Sequence, residues 1–146
     1  MEIIDEPFEE NEERHFEYAG FGIRLGALVI DRIILGIGSA VLTYGGIYAF
    51  RLGSYEVIGV SAMLQLLYFS VMESSSRQGT FGKMIVGIKV SDEYGNRLSF
   101  GKALVRSLGK IISGLILGIG FLMAAWDEKS QALHDKMAGT IVYYNR

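Results

Sequence analysis

Three long apolar stretches, separated by polar residues, dominate the pattern along the chain. The first runs from about Phe21 to Phe50 and holds eighteen consecutive uncharged residues from Ile33 onward. The second, Glu56 to Met72, has sixteen uncharged residues after its glutamate, and the third is Ile111 to Trp126. A helix needs about 20 mostly apolar residues to cross a bilayer. The pattern therefore predicts an all-α membrane protein, a bundle of about three transmembrane or re-entrant helices.

The polar loop between the second and third stretches has a pattern of its own. The segment Lys83–Val90 resembles Lys136–Val142 in its Lys-Met start, its glycine and its β-branched end. We predict from this echo two short β-strands that pair with each other. If they pair, the third stretch must enter the bilayer and return, on a break at Gly114, Gly118 or Gly120. If the third stretch spans instead, the C-terminus lies on the far side of the membrane.

A separate amphipathic helix is predicted before the third stretch. Ser99 is a typical N-cap residue for a helix that begins near Phe100. On this helix Lys102, Arg106 and Lys110 recur every four residues and form one basic stripe. We expect such a stripe to lie on the anionic lipids of the inner leaflet. The alternative is a solvated face that only fixes the orientation of the chain.

Composition and charge support a membrane protein with a defined orientation. Half of the 146 residues are apolar, and the mean hydropathy is +0.30. Residues 1–23 hold eight acids against one base, whereas residues 73–110 hold seven bases against three acids. We predict an acidic flexible tail over residues 1–15 and a transmembrane domain over residues 16–146. Because basic loops stay inside, we expect a multi-pass protein of the cell membrane, with the N-terminus and the 73–110 loop in the cytoplasm.

Catalytic and metal-binding patterns are weak. The chain has no cysteine and two histidines, His15 and His134. The stretch GTFGK lacks the spacing of a phosphate-binding loop, and Met84 stands where that loop has Ser or Thr. We expect no enzyme activity, no cofactor, no metal site and no nucleic-acid partner.

The first apolar stretch carries charges that need an explanation. Arg24 and Asp31 are two helical turns apart, about 10 Å along the axis, so each should reach a partner on another segment. An isolated acid at the depth of Asp31 costs about 2.5–3.5 kcal/mol on insertion scales. We therefore predict that Asp31 is buried against protein and balanced by a base: Arg24, Arg106 or Lys110. Arg32 points about 100° away from Asp31.

Three motifs in order, GFGIRLGALVIDRIIL, TFGKMIVGIKV and ALHDKMAGTIV, resemble those of the RDD family of small multi-pass membrane proteins. The family is named for one Arg and two Asp. The resemblance matches Arg24 and Asp31 to the first two, and Asp135 to the third, with Asp127 as a weaker candidate. Ile23 departs from the pattern, in which a second Arg often precedes the first. The family implies a fold and a membrane location, and transport of unknown ligands is its usual suggested function.

Two functions from different classes follow. In the first, Asp31 and a basic partner serve transport of protons, cations or small ligands. In the second, Arg24, Asp31 and Asp135 form a structural polar clamp in a scaffold or assembly protein. Three helices are few for a transport path, so we expect a homo-oligomer or another membrane protein as partner, packed through glycines. The weaker site candidates are Arg32, Lys83, Arg106, Asp127 and His134.

Overall fold

A long helical hairpin forms the first half of the protein. The computed structural model describes residues 15–116 and 118–146; the predicted acidic tail, residues 1–15, falls almost wholly outside them. Helix α1 is Phe21–Phe50 and helix α2 is Ser54–Ser74. Arg51, in the left-handed conformation with φ 54°, turns the chain between them. The helices run antiparallel, because Gly46 meets Val57 near the turn and Asp31 meets Tyr68 far from it.

A short helix returns the chain to α1. Helix α3, Phe81–Ile85, begins at Thr80, whose hydroxyl accepts a hydrogen bond from the Lys83 amide. Gly82 lies directly against α1: a Cβ atom there would stand 2.1 Å from the Ala27 carbonyl oxygen. Only glycine permits this approach, so Gly82 sets how closely α3 can pack.

The two predicted strands are confirmed, but each begins later than its predicted segment, because the Lys-Met start of both segments is helical. Strand β1, Ile88–Asp92, pairs antiparallel with β2, Thr140–Tyr144, and Val90 stands opposite Val142. The segment before α1 joins this sheet, since the Ala19 amide donates to the Val142 carbonyl oxygen at 2.8 Å. The buried core lies beneath the sheet and against α1 and α4, and comprises Ala19, Ala27, Ile88, Val90, Leu98, Ala103 and Val142.

The third apolar stretch is not one straight helix. Helix α4, Phe100–Leu115, starts at its predicted N-cap, Ser99. Helix α5, Ile119–Leu122, follows after a break at which Gly118 takes φ 75°. A 3-10 turn, Met123–Ala125, and helix α6, Leu133–Ala138, follow and lead into β2. The bend between α4 and the α5 segment is 115°, which is a broken or re-entrant arrangement.

The exposed faces of the helices are apolar. Helices α1 and α2 are each long and apolar enough to cross a membrane, and the bent α4–α5 pair would make a third span. On α4 the side chains of Val105, Leu108 and Ile111 face outward.

The basic stripe of α4 faces inward instead: Arg106 is 1% exposed, and of the three bases only Lys102 is exposed. The prediction that this stripe lies on lipid is therefore wrong for Arg106 and Lys110.

The glycines through which we expect subunits to pack, those of Gly22–Gly26 and Gly114–Gly118, are not covered by other parts of the chain that the structure describes. In the described residues, nothing lies within 4 Å of the Cβ position at Gly22, Gly26, Gly114 or Gly118.

Candidate functional site

Asp31 is buried between α1, α2 and α3. Its side chain is 1% exposed. One carboxylate oxygen accepts hydrogen bonds from the Tyr68 hydroxyl and the Gly82 amide, both at 2.9 Å. The other accepts from the Thr80 hydroxyl at 2.5 Å. Three neutral donors thus satisfy the carboxylate and fasten α3 to α1.

The basic partner predicted for Asp31 is wrong. Among the described residues, no Lys, Arg or His nitrogen lies within 4.0 Å of its carboxylate. Hydroxyl and amide donors stabilise a carboxylate without a cation, and these were not visible as partners in the sequence. Arg32 is not a partner either, since its guanidinium donates to the Gln65 side chain at 3.2 Å in an exposed contact.

Glu73, near the end of α2, is the first of two buried carboxylates around which the buried bases are grouped. Its side chain is fully buried. One carboxylate oxygen is paired with the ammonium groups of Lys83 and Lys110, the latter at 2.8 Å, and the other lies 3.1 Å from Arg106 Nε. The sequence analysis missed Glu73 as a site residue and placed it at the start of a polar loop. Its signal was a single acid at the end of an uncharged run.

Asp135, in α6, is the second of these buried carboxylates. It forms ion pairs with Arg24 and, at 2.8 Å, with Arg106 Nη1, and it caps its own helix by accepting from the Ala132 amide. Burial opposes ionisation of Asp135, but Arg106 and Arg24 outweigh it and hold its pKa well below the ordinary value. Arg24 also donates to the Ser130 carbonyl oxygen. The structure thus joins Arg24 to Asp135, while Asp31 stays separate.

Arg106 connects these two carboxylates, because its guanidinium contacts both. The resulting ion-pair cluster joins α1, α2, α3, α4 and α6, and holds four bases against two acids: Arg24, Lys83, Arg106, Lys110, Glu73 and Asp135. Breaking a buried pair of this kind strands an uncompensated charge, at a typical cost of about 3–5 kcal/mol.

The two remaining candidate residues, His134 and Asp127, lie in different surroundings. His134 is 3% exposed and its Nε2 lies 3.4 Å from Asp135 Oδ1. Burial holds its pKa well below the ordinary value, so the ring is neutral near pH 7. Its Nδ1 has no hydrogen-bond partner among the described residues. Asp127 lies outside the ion-pair cluster, where it pairs with Lys136 at 2.5 Å and accepts from the Gln131 amide.

A cavity of about 360 Å³ lies beside the ion-pair cluster. Its polar wall includes Asp31 and all four bases of the cluster. Its apolar wall comes from α1, α2 and α5, and includes Phe21, Leu25, Leu28, Phe69, Phe121 and Leu122. An apolar pocket with a few convergent charged groups is the usual form of a small-ligand site. In the part of the chain that the structure describes, no three acidic or histidine side chains are grouped so as to hold a metal ion.

Comparisons with known proteins agree with the resemblance carried by the three motifs. The sequence model of the RDD family matches residues 18–139. An uncharacterized protein of Bacillus subtilis (strain 168), YxaI, is 33% identical over 86% of this chain and 97% of its own length. A second from that organism, YckC, is 30% identical over 88% of this chain and 86% of its own length.

A third relative is longer than this chain. A proline-rich antigen homolog of Mycobacterium tuberculosis (strain ATCC 25618 / H37Rv) is 38% identical over 51% of this chain, but the match spans only 33% of that protein. No solved structure matches the chain significantly. The family match and the two full-length relatives show that this membrane protein belongs to the RDD family.

Proposed function

We propose that this protein is a transport protein that binds a small anionic ligand in the cavity beside the ion-pair cluster. The observation that carries this proposal is that four bases line the wall of a partly apolar cavity and share two buried carboxylates. When all four bases are protonated they outnumber the buried carboxylates, which favours an anion, and the apolar wall favours a ligand with an apolar part. Buried charges of this kind mark ligand pathways in membrane proteins.

The geometry favours an anion over the proton or cation first considered for Asp31. A cation site offers free carboxylate or carbonyl oxygens. Both Asp31 oxygens already accept hydrogen bonds, and the donors point at them. Asp31 therefore positions α3, which carries Lys83 to the cavity wall.

The proposal also covers the location, the orientation and the partners of the protein. We propose a non-enzymatic, multi-pass protein of the cell membrane, with residues 73–110 and the N-terminus in the cytoplasm because of the seven bases in that loop. Two or three spans are few for a complete path, so the working unit is a homo-oligomer or a complex with another membrane protein. Anionic lipids of the inner leaflet would contact Lys102, the exposed base on α4.

A binding and flux experiment tests the transport proposal. We expect purified protein in phosphatidylcholine vesicles to bind octanesulfonate saturably and to carry it across the bilayer, while octyltrimethylammonium, of equal tail and opposite charge, does neither. Isothermal titration and filter uptake of labelled probe measure the two steps. Preference for the cation would contradict the proposal.

A matched pair of variants assigns the binding to the cavity. Leu28→Trp places a large side chain on the cavity wall, and we expect it to weaken octanesulfonate binding at least tenfold. Val29→Trp puts the same side chain next to it on a position that is 51% exposed, and it should bind as the parent does. Equal affinity in both variants would place the anion elsewhere.

A structural clamp is the second candidate function. It is favoured by the number of elements that the ion-pair cluster joins: α1, α2, α3, α4 and α6. A protein with this role alone would show no octanesulfonate binding and no flux, yet would lose stability when the cluster is broken.

A further inference from the structure

Lys83 has an unusual position among the buried charges. Its ammonium group shares one oxygen of Glu73 with Lys110, while Arg106 Nε lies 3.1 Å from the other oxygen. Lys83 is 7% exposed and lines the cavity. Three bases therefore share a single carboxylate, whose one negative charge a single base would neutralise.

The charge balance around the cavity depends on one proton. The charged and titratable groups around Lys83 come from α1, α2, α4 and α6. Arg24, Asp31, Arg106, Lys110 and His134 share its cavity wall, and Glu73 is paired with it. Asp135 does not line the cavity, but it is paired with two of the bases that do, Arg24 and Arg106. With all four bases charged and His134 neutral, four positive charges oppose three negative ones. With Lys83 neutral, three oppose three. The charges around the empty cavity are therefore balanced when one base has lost its proton.

We infer that Lys83 takes up one proton when the cavity binds its anionic ligand, so that anion and proton bind together. This inference rests on the proposed function. Above about pH 7 the empty state holds Lys83 mostly as a neutral amine that donates a hydrogen bond to Glu73, and the proton comes from solvent as the ligand enters. The bound state then holds four positive charges against three carboxylates and one ligand anion, which restores the balance.

The other bases are poorer candidates for this proton. Arg24 and Arg106 keep their charge, because guanidinium groups do not lose a proton in proteins. Lys110 is also largely buried, which disfavours its charge. Its ammonium lies 4.2 Å from the centre of the Phe69 ring, however, and is more exposed than that of Lys83, and both features offset part of this cost. Burial lowers the pKa of Lys83 to about 7; Glu73 opposes the shift, and the charges of Arg106 and Lys110 add to it.

The ligand class follows from the same count. One surplus positive charge matches a singly charged head group, and the apolar wall from α1 and α5 matches an attached apolar tail. The shared chemistry is a monovalent amphiphilic anion, whether a free organic acid or an anionic lipid headgroup. Octanesulfonate is a suitable probe because its sulfonate stays ionised, so any proton taken up belongs to the protein.

The test is the number of protons that accompany binding. The full chain in phosphatidylcholine nanodiscs is titrated with octanesulfonate in Tris and in triethanolamine, two cationic buffers with different heats of ionisation. At about pH 8, where Lys83 in the empty state is mostly neutral, we expect uptake of close to one proton. Affinity should weaken about tenfold for each pH unit above about 7 and level off below it.

Two substitutions assign the proton to Lys83. Lys83→Arg fixes the charge, so we expect binding without proton uptake and without dependence on pH. Lys83→Met fixes the neutral state, so binding should be at least tenfold weaker than in the parent at about pH 6 and equally free of proton uptake. Lys102→Met, on the exposed side of α4, should keep the proton uptake of the parent.

The outcomes separate this inference from the function on which it rests. Binding without proton uptake, at an affinity that does not change with pH, would overturn the inference and leave the anion site standing. Absence of octanesulfonate binding at every pH would overturn both. Weaker binding in phosphatidylglycerol nanodiscs would identify the lipid headgroup as a competing occupant, and equal binding would identify a free anion; either result supports the ligand class.

Discussion

At the scale of residues, the three buried carboxylates are stabilised in different ways. Asp31 accepts hydrogen bonds from neutral donors. Glu73 and Asp135 are paired with bases, and both contact Arg106. The pairing of Arg24 with Asp135 agrees with their shared place in the family motif. The partners of Asp31 could not be predicted, because Tyr68 and Thr80 carry no charge and their role appears only when α3 folds back onto α1.

Glu73→Gln tests the contribution of the ion-pair cluster to stability. The substitution keeps the shape of the side chain but leaves Lys83, Arg106 and Lys110 without their carboxylate. We expect a loss of about 3–5 kcal/mol in the free energy of unfolding, because unpaired buried charges are costly. Denaturant unfolding in detergent measures it. Glu93→Gln, at an exposed position, should change stability by less than about 0.5 kcal/mol; an equal effect of the two variants would speak against a structural role for the cluster.

At the scale of elements, much of the fold could be predicted from the sequence. The apolar runs predicted α1 and α2, the Lys-Met echo predicted the paired strands, and Ser99 predicted the start of α4. The sequence left open whether the third stretch breaks, and offered Gly114, Gly118 and Gly120 as sites; the break is at Gly118. The direction of the basic stripe could not be predicted. An amphipathic helix on a membrane surface and a helix that turns its apolar face to lipid have the same periodicity, and only the buried acids on α2 and α6 distinguish them.

Gly82→Ala tests the contact between α3 and α1. The added methyl group would meet the Ala27 carbonyl oxygen and the Asp31 carboxylate at less than 3.0 Å, so α3 must move away and loosen the hydrogen bonds to Asp31. We expect a loss of about 1–3 kcal/mol in stability, the usual cost of overpacking. Thermal unfolding in detergent measures the change. Gly101→Ala, in α4 with open space around it, should leave the protein as stable or slightly more stable; a melting temperature for Gly82→Ala as high as that of Gly101→Ala would rule out the tight contact.

At the scale of the whole molecule, the sheet determines which parts of the chain share a side of the membrane. Strand β1 lies in the loop after α2, β2 lies at the C-terminal end, and Tyr18 bridges to Tyr143. We therefore expect the segment before α1, the loop and the C-terminal strand on one side of the membrane, and the Arg51 turn on the other. A third straight span would have separated the two strands. The bend of 115° between α4 and the α5 segment is what allows them to pair.

Cysteine labelling tests this arrangement directly, because the chain has no cysteine of its own. Single cysteines are introduced at Asn96 in the loop, at Asn145 after β2 and at Ser54, the first residue of α2 after the turn, all exposed positions. The positive-inside rule assigns the basic loop to the cytoplasm, and the sheet carries the C-terminus with it. We therefore expect an impermeant maleimide to label intact cells only at Ser54, and to label Asn96 and Asn145 after the membrane is opened. Labelling of Asn145 but not Asn96 from outside would mean that the strands do not pair and that the α4–α5 segment crosses the membrane. Labelling of both from outside would keep the fold but reverse its orientation, so the three positions together separate the architecture from its direction in the membrane.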